Sequence, residues 1–304
     1  MALDNEDTLE SHYIDAFEAN LGHVPQQQGA RLVPLVDSNT NFTKPGDMIN
    51  GDDIGTSEPT EITDRFGTTP EGVIAKKRRV GFFTPYEDAK WLDDIDTAKS
   101  LSDPANATMQ AMSWGHDRYR DRKIIEALDA SAREGRTGET TVAFPTSQSI
   151  AVDNWSYKRK GDTSTGAAPM TFAKINHTKV KLDKGQLAGK RTMVVSSEQL
   201  GQLMTDPVMT DRESVSVQAL INGELSYFMG FHWVISELLP LVAGVRTCFG
   251  FVGSAIVYRG RKLTEAQIWR RKDRKNNWQA YYKGTHAAFR RYDEGVVRIY
   301  CQEA

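Results

Sequence analysis

The stretch DPANATMQAMSWGHDRYRDRKIIEALDASAREG, residues 103–135, is the strongest helix signal in the sequence. Asp103 is a good N-cap residue, and Pro104 follows it at the first helical position, where its missing N–H costs little. Helix-forming residues then continue until Gly135, a common terminating residue. The pattern predicts a helix over 104–134, on the order of 45 Å long. We expect a helix of this length to act as a spine against which other elements pack.

The segment before this helix, residues 44–81, has the opposite character. Prolines and glycines recur along it and exclude a helix. Alternating residues at 62–66 and, more loosely, at 73–80 predict two strands. The segment is too polar to build a core of its own, so it predicts a long two-stranded loop that another surface must hold. A floppy insertion is the alternative.

The rest of the chain predicts a mixed α+β fold, because short apolar runs alternate with turn residues and helical patterns. Residues 1–22 predict a short amphipathic helix, and residues 24–42 an extended arm. Further strands are predicted at 141–144, 191–196 and 296–300, helices at 170–182 and 198–204, and a hairpin with strands at 266–269 and 278–282; residues 248–258 form another apolar segment.

The most apolar run, LSYFMGFHWVIS at residues 225–236, raises the question of a membrane span. Glu237 ends the run well short of the roughly 20 residues that a spanning helix needs. Two buried strands around Gly230 are the better prediction, with His232 as an ordinary core or interface histidine. We therefore expect no membrane association.

Composition and charge describe a folded protein and argue against a tight nucleic-acid binder. The chain has 304 residues, 39% hydrophobic and 26% charged, which is enough apolar material for a sizeable folded core. A net charge of -2 argues against tight binding of nucleic acid through phosphate contacts. Cys248 and Cys301 form no CxxC motif and predict reduced thiols, and the acidic N-terminus lacks a signal-peptide pattern.

No catalytic or metal-binding motif stands out, and no cofactor is expected. One alternative is an enzyme that uses His116, Asp117 and Asp121 in the charged middle of the long helix, although helix salt bridges produce the same pattern more often. A second alternative is a nucleic-acid-binding module that uses the basic stretch Arg259–Lys275, which also fits a solvated hairpin.

Several short motifs follow one another in a set order from about residue 44 to the end of the chain. They are Arg78-Arg79-Val80, YEDAKWLD at 86–93, Asp103-Pro104, RDRKIIEAL at 120–128, VVSSEQ at 194–199, LMTD at 203–206, Gly223, FMGF at 228–231 and HAAFRRYDEGVVRIYC at 286–301. This order of motifs resembles the major capsid proteins of tailed bacteriophages, which share the Hong Kong 97 phage capsid fold.

The resemblance implies an assignment of parts. The regions would be an N-terminal arm at 1–44, an extended E-loop at 45–84, a P-domain with the spine helix at 85–150, an A-domain at 151–246, and a return to the P-domain with terminal strands at 247–304. Four basic residues near the end of the loop would contact another subunit: Lys76, Lys77, Arg78 and Arg79.

The resemblance also implies a structural protein and not an enzyme. Subunits would form hexamers and pentamers of an icosahedral shell in the virion, assembled in the host cytoplasm around double-stranded DNA that is contacted weakly and non-specifically. A separate scaffold, a portal and a cement protein are possible partners. Some relatives form Lys–Asn cross-links, but no partner motif matches here, so Lys76 and Lys77 are not assigned that chemistry.

Overall fold

The computed structural model describes residues 24–65, 67–69, 72–92, 104–154, 166–205 and 227–303. The helix predicted over residues 1–22 and the N-cap Asp103 lie outside this part of the chain. The described elements confirm a mixed α+β architecture. No helix in the described ranges is long and apolar enough to span a membrane.

Three helices and fifteen strands are described. The helices are α1 (Pro104–Asp129), α2 (Phe172–Lys184) and α3 (Ser197–Thr205). The strands are β1 (Asp37–Asn39), β2 (Met48–Ile54), β3 (Lys76–Phe82), β4 (Thr84–Leu92), β5 (Ala132–Glu134), β6 (Thr140–Val142), β7 (Ser149–Ile150), β8 (Arg191–Val195), β9 (Tyr227–Phe228), β10 (Phe231–Ile235), β11 (Leu241–Val242), β12 (Val245–Val252), β13 (Ile256–Arg270), β14 (Trp278–Arg290) and β15 (Val296–Gln302).

The spine helix α1 is confirmed, but it ends at Asp129, before the predicted Glu134. The following residues form β5, which pairs with β3 and β6. The C-terminal carbonyls of the helix are capped by side chains from distant strands. Arg290 donates to the Ala130 oxygen at 2.7 Å, and Arg298 donates to the Asp129 oxygen at 2.9 Å. Such caps satisfy the free carbonyls of a helix end, and pairing in the sheet then outweighs local helix propensity.

The main core lies on a seven-stranded sheet in the order β7-β15-β12-β8-β10-β9, with β11 beside β12. Its side chains and those of α1 and α2 form one buried cluster. The run LSYFMGFHWVIS supplies β9 and β10, as predicted, which are joined by a two-residue turn. Met229 and Gly230 in this turn have φ of 54° and 87°, the left-handed geometry that a tight hairpin requires. His232 lies within β10.

A second sheet, in the order β1-β13-β14-β4, packs against α1. The predicted hairpin is confirmed in position but is much longer than predicted, since β13 and β14 continue to Ile256 and Arg290. Charged and polar residues interrupt the alternating pattern in the first half of β13, so the pattern did not predict this extension. β4 pairs with β14 from Thr84 to Leu92 and forms one edge of the sheet, and β1 forms the other.

The third sheet, in the order β2-β3-β5-β6, carries the loop. Its position depends on close packing against Phe289 of β14. A Cβ atom at Gly81 would lie 2.3 Å from the Phe289 ring, and one at Gly51 would lie 3.3 Å from it. The two glycines therefore let the loop strands approach the ring directly.

We predict that Gly81→Ala lowers the free energy of unfolding by about 1–3 kcal/mol, because the added methyl overpacks a contact with a rigid ring. Urea unfolding of the purified subunit measures this. Gly72→Ala is the matched control, since nothing lies within 4 Å of a Cβ atom at Gly72. Equal stability of the two variants would contradict the packing role of Gly81.

Candidate assembly surface

The loop is a two-stranded ribbon that ends in an irregular tip. β2 and β3 pair in antiparallel register from Met48↔Phe82 to Ile54↔Lys76. The Gly55 N–H then donates to the Ala75 oxygen at 2.7 Å. The described residues between 55 and 75 contain no strand. The two predicted strands are therefore confirmed in number, but residues 62–65 do not belong to either of them.

The base of the ribbon, which is the β2–β3 ladder as far as Asp53, is anchored within the same chain. Arg291 donates to the Asp53 carboxylate at 2.6 Å, and the Tyr292 hydroxyl donates to the same oxygen at 2.8 Å. These contacts and the Phe289 packing join the loop to the end of β14. The expectation that only another surface could hold both strands is therefore wrong for the base, because long-range side chains reach it from residues 289–292.

The basic residues at the end of the loop have different environments. Arg78 lies opposite Asp52 in the ladder and donates to its carboxylate at 3.0 Å; this pair raises the pKa of Arg78 and lowers that of Asp52. Arg79 is buried and donates to Asp293 at 2.7 Å, with Glu134 3.8 Å away. Lys76 and Lys77 are exposed.

The outer part of the loop exposes aliphatic side chains. Ile54 is 74% exposed, Ile62 is 91% exposed and Val73 is 99% exposed. Isolated exposed aliphatics are ordinary on a protein surface, but several on one thin projection form a surface that folding of this chain leaves uncovered. A second surface placed over the ribbon would bury them.

Of the residues of the enzyme alternative, His116 and Asp117 line one cavity, and Asp121 lies apart from them. Asp121 faces the N-terminal arm and accepts from the Arg31 and Leu32 N–H groups. His116 points to the second sheet, where it hydrogen-bonds with the Tyr282 hydroxyl at 2.8 Å. Asp117 lies 3.4 Å from Arg120. The helix thus presents the three side chains to different partners, as an ordinary structural helix does.

His116 belongs to a cluster of stacked rings between α1 and the second sheet. Tyr86 stacks on His286 with ring centroids 3.9 Å apart and on His116 with centroids 5.2 Å apart. His286 also hydrogen-bonds with the Tyr258 hydroxyl at 2.8 Å. A cavity of about 420 Å³ opens beside the cluster. Sequence patterns did not predict this cluster, because its rings come from one helix and three strands that are distant in sequence.

Both imidazoles are held neutral at physiological pH. Burial lowers the pKa of His116 to about 4, with a smaller contribution from Arg120. Burial lowers the pKa of His286 to about 3, assisted by His116 and the cations Arg120 and Lys123. Burial also raises the pKa of Tyr86 and Tyr258, to about 12 for Tyr258. The cluster is therefore an uncharged packing contact in a neutral solution.

The arginines of the stretch Arg259–Lys275 are largely used within the chain. Arg259 pairs with Asp37 at 2.9 Å, and Arg271 pairs with Asp273 at 2.7 Å. Arg261 donates to the Gly46 oxygen at 3.0 Å and lies over the Phe83 ring. These contacts fix β1, the turn and the loop base. Because Arg259, Arg261 and Arg271 are engaged in these contacts, the nucleic-acid alternative gains no support.

The remaining candidates are structural. Cys248 and Cys301 are both buried and free. Within the described ranges no group of three or more His, Cys, Asp or Glu side chains could hold a metal ion. His232 is half-buried and pairs with Thr192 and Tyr227 through its strand.

The family model described as phage capsid protein matches residues 9–303, nearly the whole chain. The chain belongs to the phage capsid protein family. A comparison with curated protein sequences gives no match. Solved structures similar to this capsid protein include a chain from Mycobacterium phage Che8, with 16% identity, 98% coverage of each chain and a TM-score of 0.69.

Two other structures have the same fold. The capsid of Ralstonia phage GP4 has 11% identity, 96% coverage of each chain and a TM-score of 0.72. The capsid of a native GTA particle has 15% identity, covers 99% of this chain and 100% of its own, and has a TM-score of 0.67. The predicted Hong Kong 97 phage capsid fold is confirmed. This is a structural major capsid protein of the virion, which self-assembles into a shell.

We predict that Arg79→Ala lowers the free energy of unfolding of the subunit by about 3–5 kcal/mol, because it leaves a partly buried carboxylate, Asp293, without one of its cations. Arg78→Ala is the matched control, and we expect little change, because the Arg78–Asp52 pair is solvent-exposed. Urea unfolding of both variants measures the difference. Similar losses of unfolding free energy in the two variants would show that Arg79 does not anchor the loop.

We also predict that acid weakens the subunit through the ring cluster. Because the pKa of His116 and His286 is lowered from 6.5 in the folded state, the unfolded chain binds protons first, and stability falls as the pH drops from about 6.5 to about 4 and then 3. Thermal melting between pH 7 and pH 4 measures this. His286→Gln should flatten the pH dependence, and His232→Gln, outside the cluster, should leave it unchanged.

Proposed function

We propose that this capsid protein forms hexamers and pentamers that close into an icosahedral shell around the double-stranded DNA genome of a tailed phage. The observation that carries the proposal is the loop, whose base is fixed to its own chain and whose outer part exposes Ile54, Ile62 and Val73. A rigidly mounted projection with uncovered aliphatic side chains is suited to lie on a neighbour and add interface area that a monomer cannot bury.

The regions of the chain would correspond to the parts of the capsid fold that the family resemblance implies. Residues 1–44 would be the arm, 45–84 the loop that lies over a neighbour, and 85–150 with 247–304 the P-domain around α1. Residues 151–246 would be the A-domain near the axis of each capsomer. The proposed A-domain and P-domain would share the core sheet, because β8, β9 and β10 of the first lie in one sheet with β7 and β15 of the second.

The basic residues of the loop would contribute in two ways. Lys76 and Lys77 are exposed and can reach carboxylates of another subunit, and Arg78 is exposed enough to share its guanidinium between Asp52 and such a partner. Arg79 would act indirectly, because its buried pair with Asp293 fixes the direction of the loop. The inter-subunit contact would therefore depend on salt mainly through the two lysines and Arg78.

The remaining roles follow from charge and chemistry. A net charge of -2 suits a container that contacts its DNA weakly and non-specifically, since tight binding would hinder packing and release. The protein would have no enzymatic activity, because the titratable side chains of α1 face separate structural partners. Assembly would take place in the host cytoplasm, with a separate scaffold, a portal and a cement protein as possible partners.

We predict that replacing residues 56–74 by a short Gly-Ser linker leaves a protein that melts cooperatively and no longer forms closed shells. The cut keeps the β2–β3 ladder and the Gly55–Ala75 hydrogen bond, so the subunit keeps its core and loses only the tip. Negative-stain microscopy beside a thermal melt gives both readouts. Closed particles from the shortened protein, or none from the wild type, would overturn the proposed function.

A finer version of the same experiment keeps the loop length. Ile62→Ser combined with Val73→Ser removes two exposed aliphatic side chains from the loop and should reduce particle yield without lowering the melting temperature. Val242→Ser is the matched control, because Val242 is 71% exposed on β11, outside the loop. Equal particle yields from the two variants would show that the loop surface makes no special contact.

A further inference from the structure

The middle of the spine helix holds the start of the described chain through one carboxylate. Asp121 is fully buried, with 0% of its surface exposed. It accepts from Gln27 Nε2 at 2.6 Å, from the Arg31 N–H at 2.8 Å and from the Leu32 N–H at 3.0 Å. All three donors belong to the arm, about 90 residues earlier in the sequence.

Other contacts reinforce the same segment, residues 26–32, which we call the clasped segment. Arg118, one turn before Asp121, donates to Gln26 Oε1 at 2.5 Å. The Arg31 guanidinium donates to the Ile235 oxygen at the end of β10, at 2.7 Å. Leu32 is fully buried in the main core. The clasped segment is thus held by the helix, by the core sheet and by apolar packing at the same time.

The chemistry of the clasp is unusual for a surface arm. The hydrogen-bond donors to Asp121 in the described part of the chain are two backbone N–H groups and an amide, all neutral, and the residue has no exposed surface. A carboxylate without water needs a full set of donors, because an unpaired buried charge is costly. The folded helix therefore strongly favours this one position of the arm. If the arm moved away, the Asp121 carboxylate would lose its three hydrogen-bond donors.

We propose that Asp121 is the positioning residue that fixes the arm to the spine helix and so sets where residues 26–32 lie on the subunit. The proposal rests on the proposed function, in which the arm takes part in the shell. The sequence pattern offered Asp121 as a candidate acid or base, and the structure gives it a different task. A displaced arm would leave the core folded and deprive the shell of a fixed attachment point.

Asp121→Asn tests the clasp on the isolated subunit. The variant keeps the size of the side chain but has only one acceptor oxygen, so it cannot serve all three donors. We expect amide hydrogen exchange at Arg31 and Leu32 to rise at least tenfold, and trypsin cleavage after Arg31 to accelerate by a similar factor. Asp117→Asn is the matched control, because Asp117 lies on the same helix and contacts Arg120, not the arm.

A second variant covers the case in which Asp121→Asn does not fold. Gln27→Ala removes one donor and keeps both backbone hydrogen bonds, so it should give an intermediate rise in exchange and cleavage with a cooperative melt. Unchanged rates in the variants that fold, or an equal rise in Asp117→Asn, would overturn the proposal.

Particle formation separates positioning from simple stability. We expect a released arm to lower the yield of closed shells at least tenfold at a temperature where the subunit is still folded. Normal shells from a variant with a released arm would overturn the proposal. If the wild type forms no shells, the proposed function fails, and the exchange and cleavage rates still decide whether Asp121 fixes the arm.

Discussion

The carboxylate of Asp293 is the point at which the parts of the subunit meet. It accepts from Arg79 of the loop and from Arg290 of the long hairpin, each at 2.7 Å. The same Arg290 donates to the Ala130 carbonyl at the end of the spine helix. Because all three groups are largely buried, each contact supports the others, and loss of one leaves a charge without its partner. Loop, hairpin and helix are therefore oriented by one small set of ionic contacts.

Around this junction the fold uses two kinds of helix contact. Toward the second sheet, α1 packs through the neutral rings of Tyr86, His116 and His286, which supply area and stacking. Toward the arm it uses the charge of Asp121 and the donors of the clasped segment. The ring contact is strong only while the imidazoles are neutral, whereas the Asp121 contact depends on both side-chain oxygens acting as hydrogen-bond acceptors. The helix is therefore held by two chemically different contacts.

The loop is anchored to its own chain at its base but leaves apolar surface uncovered in its outer part. Its base is closed by Phe289, Arg79 and Arg291, so its direction is fixed before any partner is present. Its outer part has no core, and its aliphatic side chains face solvent. A projection that is already ordered at its root loses less entropy when it meets a neighbour, which favours assembly of a shell from many equal contacts.

Sequence alone determined the elements whose signals are local. The N-terminal proline and the long run of helix formers specified α1, period and turn residues specified the strands from Arg191 to Val195 and from Val296 to Gln302, and the short motifs in order indicated the capsid family. Only the tertiary structure decided where α1 ends, how far β13 and β14 extend, and what Arg79 and Asp121 do. Those features depend on donors and acceptors between about 90 and 240 residues apart, and no local pattern in a sequence records which distant group will reach a given carboxylate or carbonyl.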